Sequence, residues 1–328
     1  MASPSGYVTE AFTNPPNYSF PHNHLQRVMK DSNKTPIVLV ACGSFSPVTY
    51  LHLRMFEMAK DFARHSTEFE IVGTYLSPVS DMYKKPGLLN SRHRVNMCNL
   101  AADDSGTTLM VDSWEAFQAY QRTAIVLDHF DYEVNTVLGG VQTEEGEHRN
   151  VRIMLLAGSD LISTMSEPGL DHILGRYGCF IIERAGSGME QATDALSKWR
   201  HNIYLISQLI QNDVSSTKVR LFLRRGLSVR YLLPNSVVDY IEQNGLYLDE
   251  NSLGSTAPSD KGKDKEPIKT ESSSHFVTTA IDEQRVLETP LRNSLTLTEK
   301  WLGATGRGEV KEKGTKMDKH TYSPQPER

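Results

Sequence analysis

The amino-acid sequence predicts an α/β protein built on a doubly wound parallel sheet, and two observations carry that expectation. Six short runs rich in β-branched and aliphatic residues recur through the middle of the chain: PIVLVA (36–41), FEIVGTYL (69–76), TTLMVD (107–112), VRIMLLAG (151–158), CFIIE (179–183) and NIYLI (202–206). Longer segments with helical spacing of apolar residues separate them. Strand–helix alternation of this kind builds a parallel sheet covered on both faces, and ligands bind beyond the carboxyl ends of its strands.

Composition bounds the function. The chain has 328 residues, 38% of them hydrophobic and 23% charged, with a formal net charge of −5. That charge argues against a protein that coats nucleic acid or an anionic membrane, so neither partner is expected, whereas a local basic pocket for phosphate is compatible with it. The three cysteines, Cys42, Cys98 and Cys179, lie far apart in apolar or helical surroundings. This excludes a disulfide framework or a cysteine zinc cluster and points to a reducing compartment. No apolar run reaches membrane-spanning length, and the N-terminus lacks a charged start followed by an apolar stretch, so an intracellular protein is the expectation.

Taken in order, residues 1–33 are rich in Pro, Asn, Ser and Tyr without periodicity and read as a disordered leader. The first strand run then leads through Gly43, Ser44, Ser46, Pro47 and Thr49 into a helix whose Leu51, Met55, Met58, Ala59 and Phe62 form a core stripe. His52 stands beside that stripe, near a helix start where backbone N–H groups are unpaired and the dipole is positive. Its position alone leaves two readings open: a capping, half-buried histidine, or one that faces a phosphate, which the Gly43-Ser44 strand exit would let approach closely.

After the second run, DMYKKPG places Lys84 and Lys85 in a loop, where a lysine pair is ordinarily solvated. The fourth run ends in LLAGSDLI, with Gly158 and Asp160 where strand meets helix, suited to backbone approach and to a ribose hydroxyl. NDVSSTKVRLFLRRG (212–226) offers Ser215 and Ser216 as N-caps, with Arg220 and Arg224 on the helical face of Thr217. Such a helix start can hold a polyphosphate, or it can be a capped surface helix with solvated arginines. Residues 249–328 are polar and of low complexity, apart from a stretch around 277–303 with some Leu, Val and Trp, and read as a disordered tail. A single catalytic domain is therefore expected over 34–248.

The segments GSFSPVTYLHLRMF, SPVSDMYKKPGLLNSRHRV, DSWEAFQ, LLAGSDL, RYGCFIIERAG and NDVSSTKVRLFLRRGLSVRYLLPNSVVDYIEQNGLY occur in order between Pro36 and Leu248. Together they resemble the eukaryotic, fungal-type nicotinamide mononucleotide adenylyltransferases of the nucleotidyltransferase superfamily. The resemblance implies a Rossmann-like fold, transfer of the adenylyl group of ATP to nicotinamide mononucleotide or nicotinic acid mononucleotide, and residence in nucleus or cytoplasm. It also assigns roles. Gly43, Ser44 and Phe45 would line the dinucleotide through their backbone, and Thr49 and His52 would fill the (H/T)xxH pattern, with His52 on ATP phosphates. Gly158 and Asp160 would serve the adenosine half, and Ser216, Thr217, Lys218 and Arg220 the outer phosphates.

On the mononucleotide side stand Lys85, Trp114, Tyr120 and Thr123. Arg184, counted with that set, and Asn212 would flank adenine and ribose. His52 and Arg220 are the implied catalytic residues, Mg²⁺ would be held mainly by the ATP phosphates with no protein metal site, and a homo-oligomer is implied. The chain departs from the family pattern after LLAGSDLISTM, where SEPGLDHI is several residues short and lacks the tryptophan expected to stack on the nicotinamide ring. Alternatives to the full activity are a loop-shortened, weakly active or non-catalytic nucleotide-binding protein, or another adenylyl or cytidylyl transferase of the same fold.

Overall fold

The computed structural model describes residues 12–162, 167–183 and 196–248. The expected tail 249–328 and the first eleven residues of the expected leader lie outside them. All six expected strands form: β1 (Thr35–Gly43), β2 (Phe69–Pro78), β3 (Leu109–Val111), β6 (Arg152–Gly158), β7 (Cys179–Glu183) and β8 (Ile203–Ser207). They make one sheet in the order β3-β2-β1-β6-β7-β8, with every neighbouring pair parallel. A two-residue hairpin, β4 (Val141–Gln142) and β5 (His148–Arg149), stands apart from it.

Alternation along β1 shows why both faces are filled. Val38 and Val40 enter one core, whereas Ile37, Leu39 and Ala41 enter the other. Helices α1 (Tyr50–Ser66) and α2 (Ser91–Asp104) cover the second face through Phe56, Ala59, Met97 and Cys98. The helix α3 (Thr123–Asp131) covers the first with Leu127 and Phe130. Two single turns, α4 (Ser159–Ile162) and α5 (Glu167–Leu170), follow β6. After β8 come α6 (Ser216–Arg224) and α7 (Asn235–Gln243), which return to the second face with Val219, Val237 and Ile241. Winding outward from β1 through β2 to β3 and then restarting at β6 makes β1 and β6 the point where strand order reverses, and such a point is where a crevice opens at the carboxyl ends.

Two expectations are corrected. Residues 12–33 are not a disordered leader where they are described: Phe20, Leu25 and Met29 are buried in the first core. The segment is fastened by backbone bonds from Gln26 N–H to Val72 O (2.8 Å) and from Met29 N–H to Gln142 O (2.7 Å), while the Tyr75 hydroxyl donates to Pro21 O (2.9 Å). It runs as an irregular strap whose partners are distant in sequence, so no local periodicity announces it. On α1 the buried residues are Leu51, Phe56, Ala59 and Ala63, with Met55, Met58 and Phe62 packed at the margin. The stripe is rotated because the small Ala59 and Ala63 let the helix approach the sheet.

Candidate functional site

Beyond the carboxyl end of β1 lies a cleft of about 330 Å³ with three walls. Ser44, Phe45, Ser46 and His52 form the first, Lys85–Leu88 the second, and Ser215–Thr217 with Arg220 the third. The turn leaving β1 is built around one aromatic ring. Phe45 is buried in a left-handed conformation (φ 44°), and its ring lies over the α-carbon of Gly43, where an added Cβ would stand 2.9 Å from the ring. The other edge of the ring meets His52, with centroids 5.2 Å apart. Phe45 therefore wedges the strand exit against the histidine, and Gly43 is required beneath it.

Thr49, wholly buried, is the N-cap of α1. Its backbone N–H donates to Nδ1 of His52 (3.0 Å), and its Oγ1 lies 2.9 Å from the same nitrogen. Because Nδ1 accepts from a backbone donor, the neutral ring carries its proton on Nε2. The capping reading and the cleft-facing reading of His52 are thus one arrangement: the cap orients the ring that lines the cleft.

The opposite wall is the first turn of α6. Ser215 Oγ accepts from the Lys218 N–H (3.2 Å), Ser216 Oγ donates to Pro47 O (2.8 Å), and Arg220 donates to Ser46 O (2.7 Å) and Thr217 Oγ1 (3.3 Å). These bonds sew the α6 start to the turn after β1, so two helix N-termini flank one cleft. Burial lowers the pKa of Arg220 from the ordinary arginine value, which still leaves it charged at neutral pH. The second wall is a tight loop. Gly87 sits there at φ 71°, with a notional Cβ 3.0 Å from Arg220 Nε.

The structure brings Ser44, Phe45, His52, Lys85, Ser216, Thr217 and Arg220 together. Other expected residues stand elsewhere. Lys218 pairs with Asp213 (2.5 Å), and Asn212 shapes the approach to α6 by accepting from the Val214 N–H (3.0 Å). Gly158 ends β6 with open space where a side chain would be, and Asp160 follows within α4. Trp114 is 2% exposed, stacks on His129 (4.1 Å, 8°) and donates from Nε1 to Asn14 Oδ1 (3.1 Å), so the strap covers it. Tyr120 stacks on Tyr83 (5.5 Å) outside the cleft, and Thr123 opens α3. Arg184 lies outside the described residues.

Residue-level reading of the sequence missed Ser46, Pro86, Gly87 and Leu88 as lining residues. The turn signal of KKPGL was the available hint for the last three. Ser46 stands in the strand exit, but the sequence reading gives it no role there. Among the described residues no group of three or more His, Cys, Asp or Glu could hold a metal ion. What the cleft presents is hydroxyls, amide N–H groups and cations, a donor set made for anionic oxygens.

Residues 40–222 match the Cytidylyltransferase-like family. The chain is 54% identical over 257 residues to nicotinamide/nicotinic acid mononucleotide adenylyltransferase 1 of Saccharomyces cerevisiae, an alignment covering 75% of this chain and 64% of that protein. It is 41% identical to the corresponding Arabidopsis thaliana protein, covering 66% of this chain and 92% of that one. The bovine (Bos taurus) protein 1 of the same name is 36% identical, with 68% of this chain and 92% of that protein covered. The chain thus spans just under two thirds of the length of the yeast relative and nearly all of the plant and bovine ones.

Proposed function

This chain belongs to the cytidylyltransferase-like family and, within it, to the nicotinamide/nicotinic acid mononucleotide adenylyltransferases, and from that premise we propose that it joins ATP to either mononucleotide, releasing pyrophosphate. The observation that carries the proposal is the convergence of His52, Lys85, Arg220 and two helix N-termini on one cleft beside the strand-order reversal. A phosphate oxygen of the mononucleotide attacks the α-phosphorus of ATP in line. The bond from that phosphorus to the oxygen bridging to the β-phosphate breaks, and pyrophosphate leaves with the electron pair.

The nucleophile is ionised at neutral pH, so no general base is required. What the chemistry demands is that two anions be held together and their repulsion offset. His52 offers its Nε2–H to phosphate oxygens while Thr49 holds the ring from behind. Arg220, Thr217 and the amide N–H groups at the α6 start take the outer phosphates. Lys85 approaches from the opposite wall, toward the mononucleotide phosphate. The donor set suits phosphate oxygens, so Mg²⁺ would enter on ATP rather than on a protein site and would offset charge on the departing pyrophosphate.

The test is direct: purified protein is supplied with MgATP and each mononucleotide in turn, and dinucleotide and pyrophosphate are measured. Equal yields of both products are expected. ATP binding without pyrophosphate release would make the chain a nucleotide-binding protein, and turnover with some other acceptor only would make it a different transferase of the same fold.

A further inference from the structure

The loop between β2 and α2 delivers Lys85 to the cleft, and short turns shape it from within: Ser80 Oγ accepts from the Met82 N–H (3.2 Å), and the Leu88 N–H donates to Lys85 O (3.0 Å). Its central residues, 82–87, are exposed, and two of them, Lys84 (φ 51°) and Gly87 (φ 71°), turn through left-handed conformations. What ties these turns to the turn after β1 is a side chain outside the loop. Arg94 on α2 is wholly buried, and its guanidinium donates to Val79 O (2.6 Å) and Asp81 Oδ1 (2.8 Å) at the start of the loop and to Leu89 O (2.6 Å) at its end. A fourth bond goes to Ser44 O (3.0 Å), in the phosphate-facing turn. One planar fork therefore pins both ends of the lysine loop and the opposite wall to a single point.

Ser46 closes the same joint from the other side. Its Oγ lies 3.2 Å from Gly87 O, 3.1 Å from the Leu89 N–H and 3.0 Å from the hydroxyl of Tyr247, which is itself held left-handed (φ 65°). We propose that Arg94 is a positioning residue that, with Ser46 as its counterpart, latches the Lys85 loop onto the turn after β1 so that Lys85 faces the cleft before substrate arrives. The proposal rests on the reading of this cleft as the site of adenylyl transfer. Arg94 is buried behind the loop and acts through it: a guanidinium, unlike an ammonium, can satisfy four acceptors in one plane, and a preset lysine spares the reaction the cost of ordering an exposed loop.

Two measurements on the 328-residue chain test it. The first is amide hydrogen exchange without substrate, for which Arg94→Lys and Ser46→Ala are each expected to speed exchange at residues 82–89 by about tenfold or more while β1 and β2 keep their protection. A uniform rise across the sheet, or no change in the loop, would overturn the latch. The second is a double-mutant cycle on kcat/KM for the mononucleotide. Arg94→Lys should cost about ten- to a hundredfold alone but less than about threefold when Lys85→Ala is already present, because both act through one loop. Equal losses in the two backgrounds would reduce Arg94 to a folding residue. If Arg94→Lys does not fold, Ser46→Ala carries both arms. A wild-type protein that makes no dinucleotide would refute the functional reading, while the exchange experiment would still decide the latch.

Discussion

At the scale of single residues, His52 divides its two ring nitrogens between fold and chemistry. Nδ1 serves the Thr49 cap, and under the proposed function the proton this leaves on Nε2 is offered to phosphate. His52→Ala should therefore lower kcat by about a hundred- to a thousandfold, as loss of one preorganised donor does. It should also cost about 1 kcal/mol of stability, since half a helix cap goes with it. Steady-state kinetics alongside thermal unfolding checks both, and full specific activity in the folded fraction would leave only the cap. Arg220 depends on shape as well as charge: its fork spans Ser46 O and Thr217 Oγ1 while facing the cleft. Arg220→Lys should thus reduce turnover even though the charge survives, and wild-type kinetics in that variant would place Arg220 outside the reaction. The candidate role of His52 was legible in the sequence because a strand exit, glycine and helix start are local signals. The burial of Trp114 was not, because the residues that cover it, Phe12 and Asn14, lie a hundred positions away.

At the scale of elements, all six main strands were readable because each is a near-continuous apolar run bounded by helical spacing. The hairpin β4–β5 escaped because two-residue strands have no measurable period. The segment after β6 is where the sequence is expected to run short of the family pattern, and two aromatic side chains that could stand in for a stacking ring already have partners. Trp199 is buried and donates from Nε1 to Asp171 Oδ1 (3.0 Å), and Tyr120 is stacked on Tyr83. Inserting a tryptophan-bearing segment of family length after Gly169 is accordingly expected to lower KM for the mononucleotide by about five- to a hundredfold, the range a stacked ring supplies, with KM for ATP nearly unchanged. Identical mononucleotide constants before and after insertion would mean that the short segment costs this chain nothing.

At the scale of the whole molecule, the buried carboxylates on either side of Trp114 make stability depend on pH. Burial raises Asp112 to about 7 and Glu115 to about 8, and it lowers His129 to about 3. The fold holds its carboxyl protons more tightly than the unfolded chain, so the cost of ionising Asp112 is absent below the ordinary aspartate range, grows from about pH 4 to 7 and is complete above. His129 acts at the acid end: the unfolded chain takes up a proton below about pH 6.5 that the fold refuses, so its contribution is lost as pH falls from there toward 3. Asp112→Asn keeps the acceptor for the Tyr18 hydroxyl (2.8 Å) and removes the charge. Its stabilisation should be about 2–3 kcal/mol larger at pH 8 than at pH 5 in denaturant titrations. A pH-independent effect would show that Asp112 is ionised in the fold throughout.

The strap also has a consequence in time. Tyr18 meets His129 across a sequence separation of 111, and Met29 waits for Gln142. A ribosome adding about 5–20 residues per second needs on the order of ten seconds to supply those partners. Until then Phe20 and Leu25 have only the β2 residues around Gly73 and Tyr75 against them and Met29 lacks its Gln142 partner, so a nascent chain halted before α3 would present a half-covered strap to chaperones.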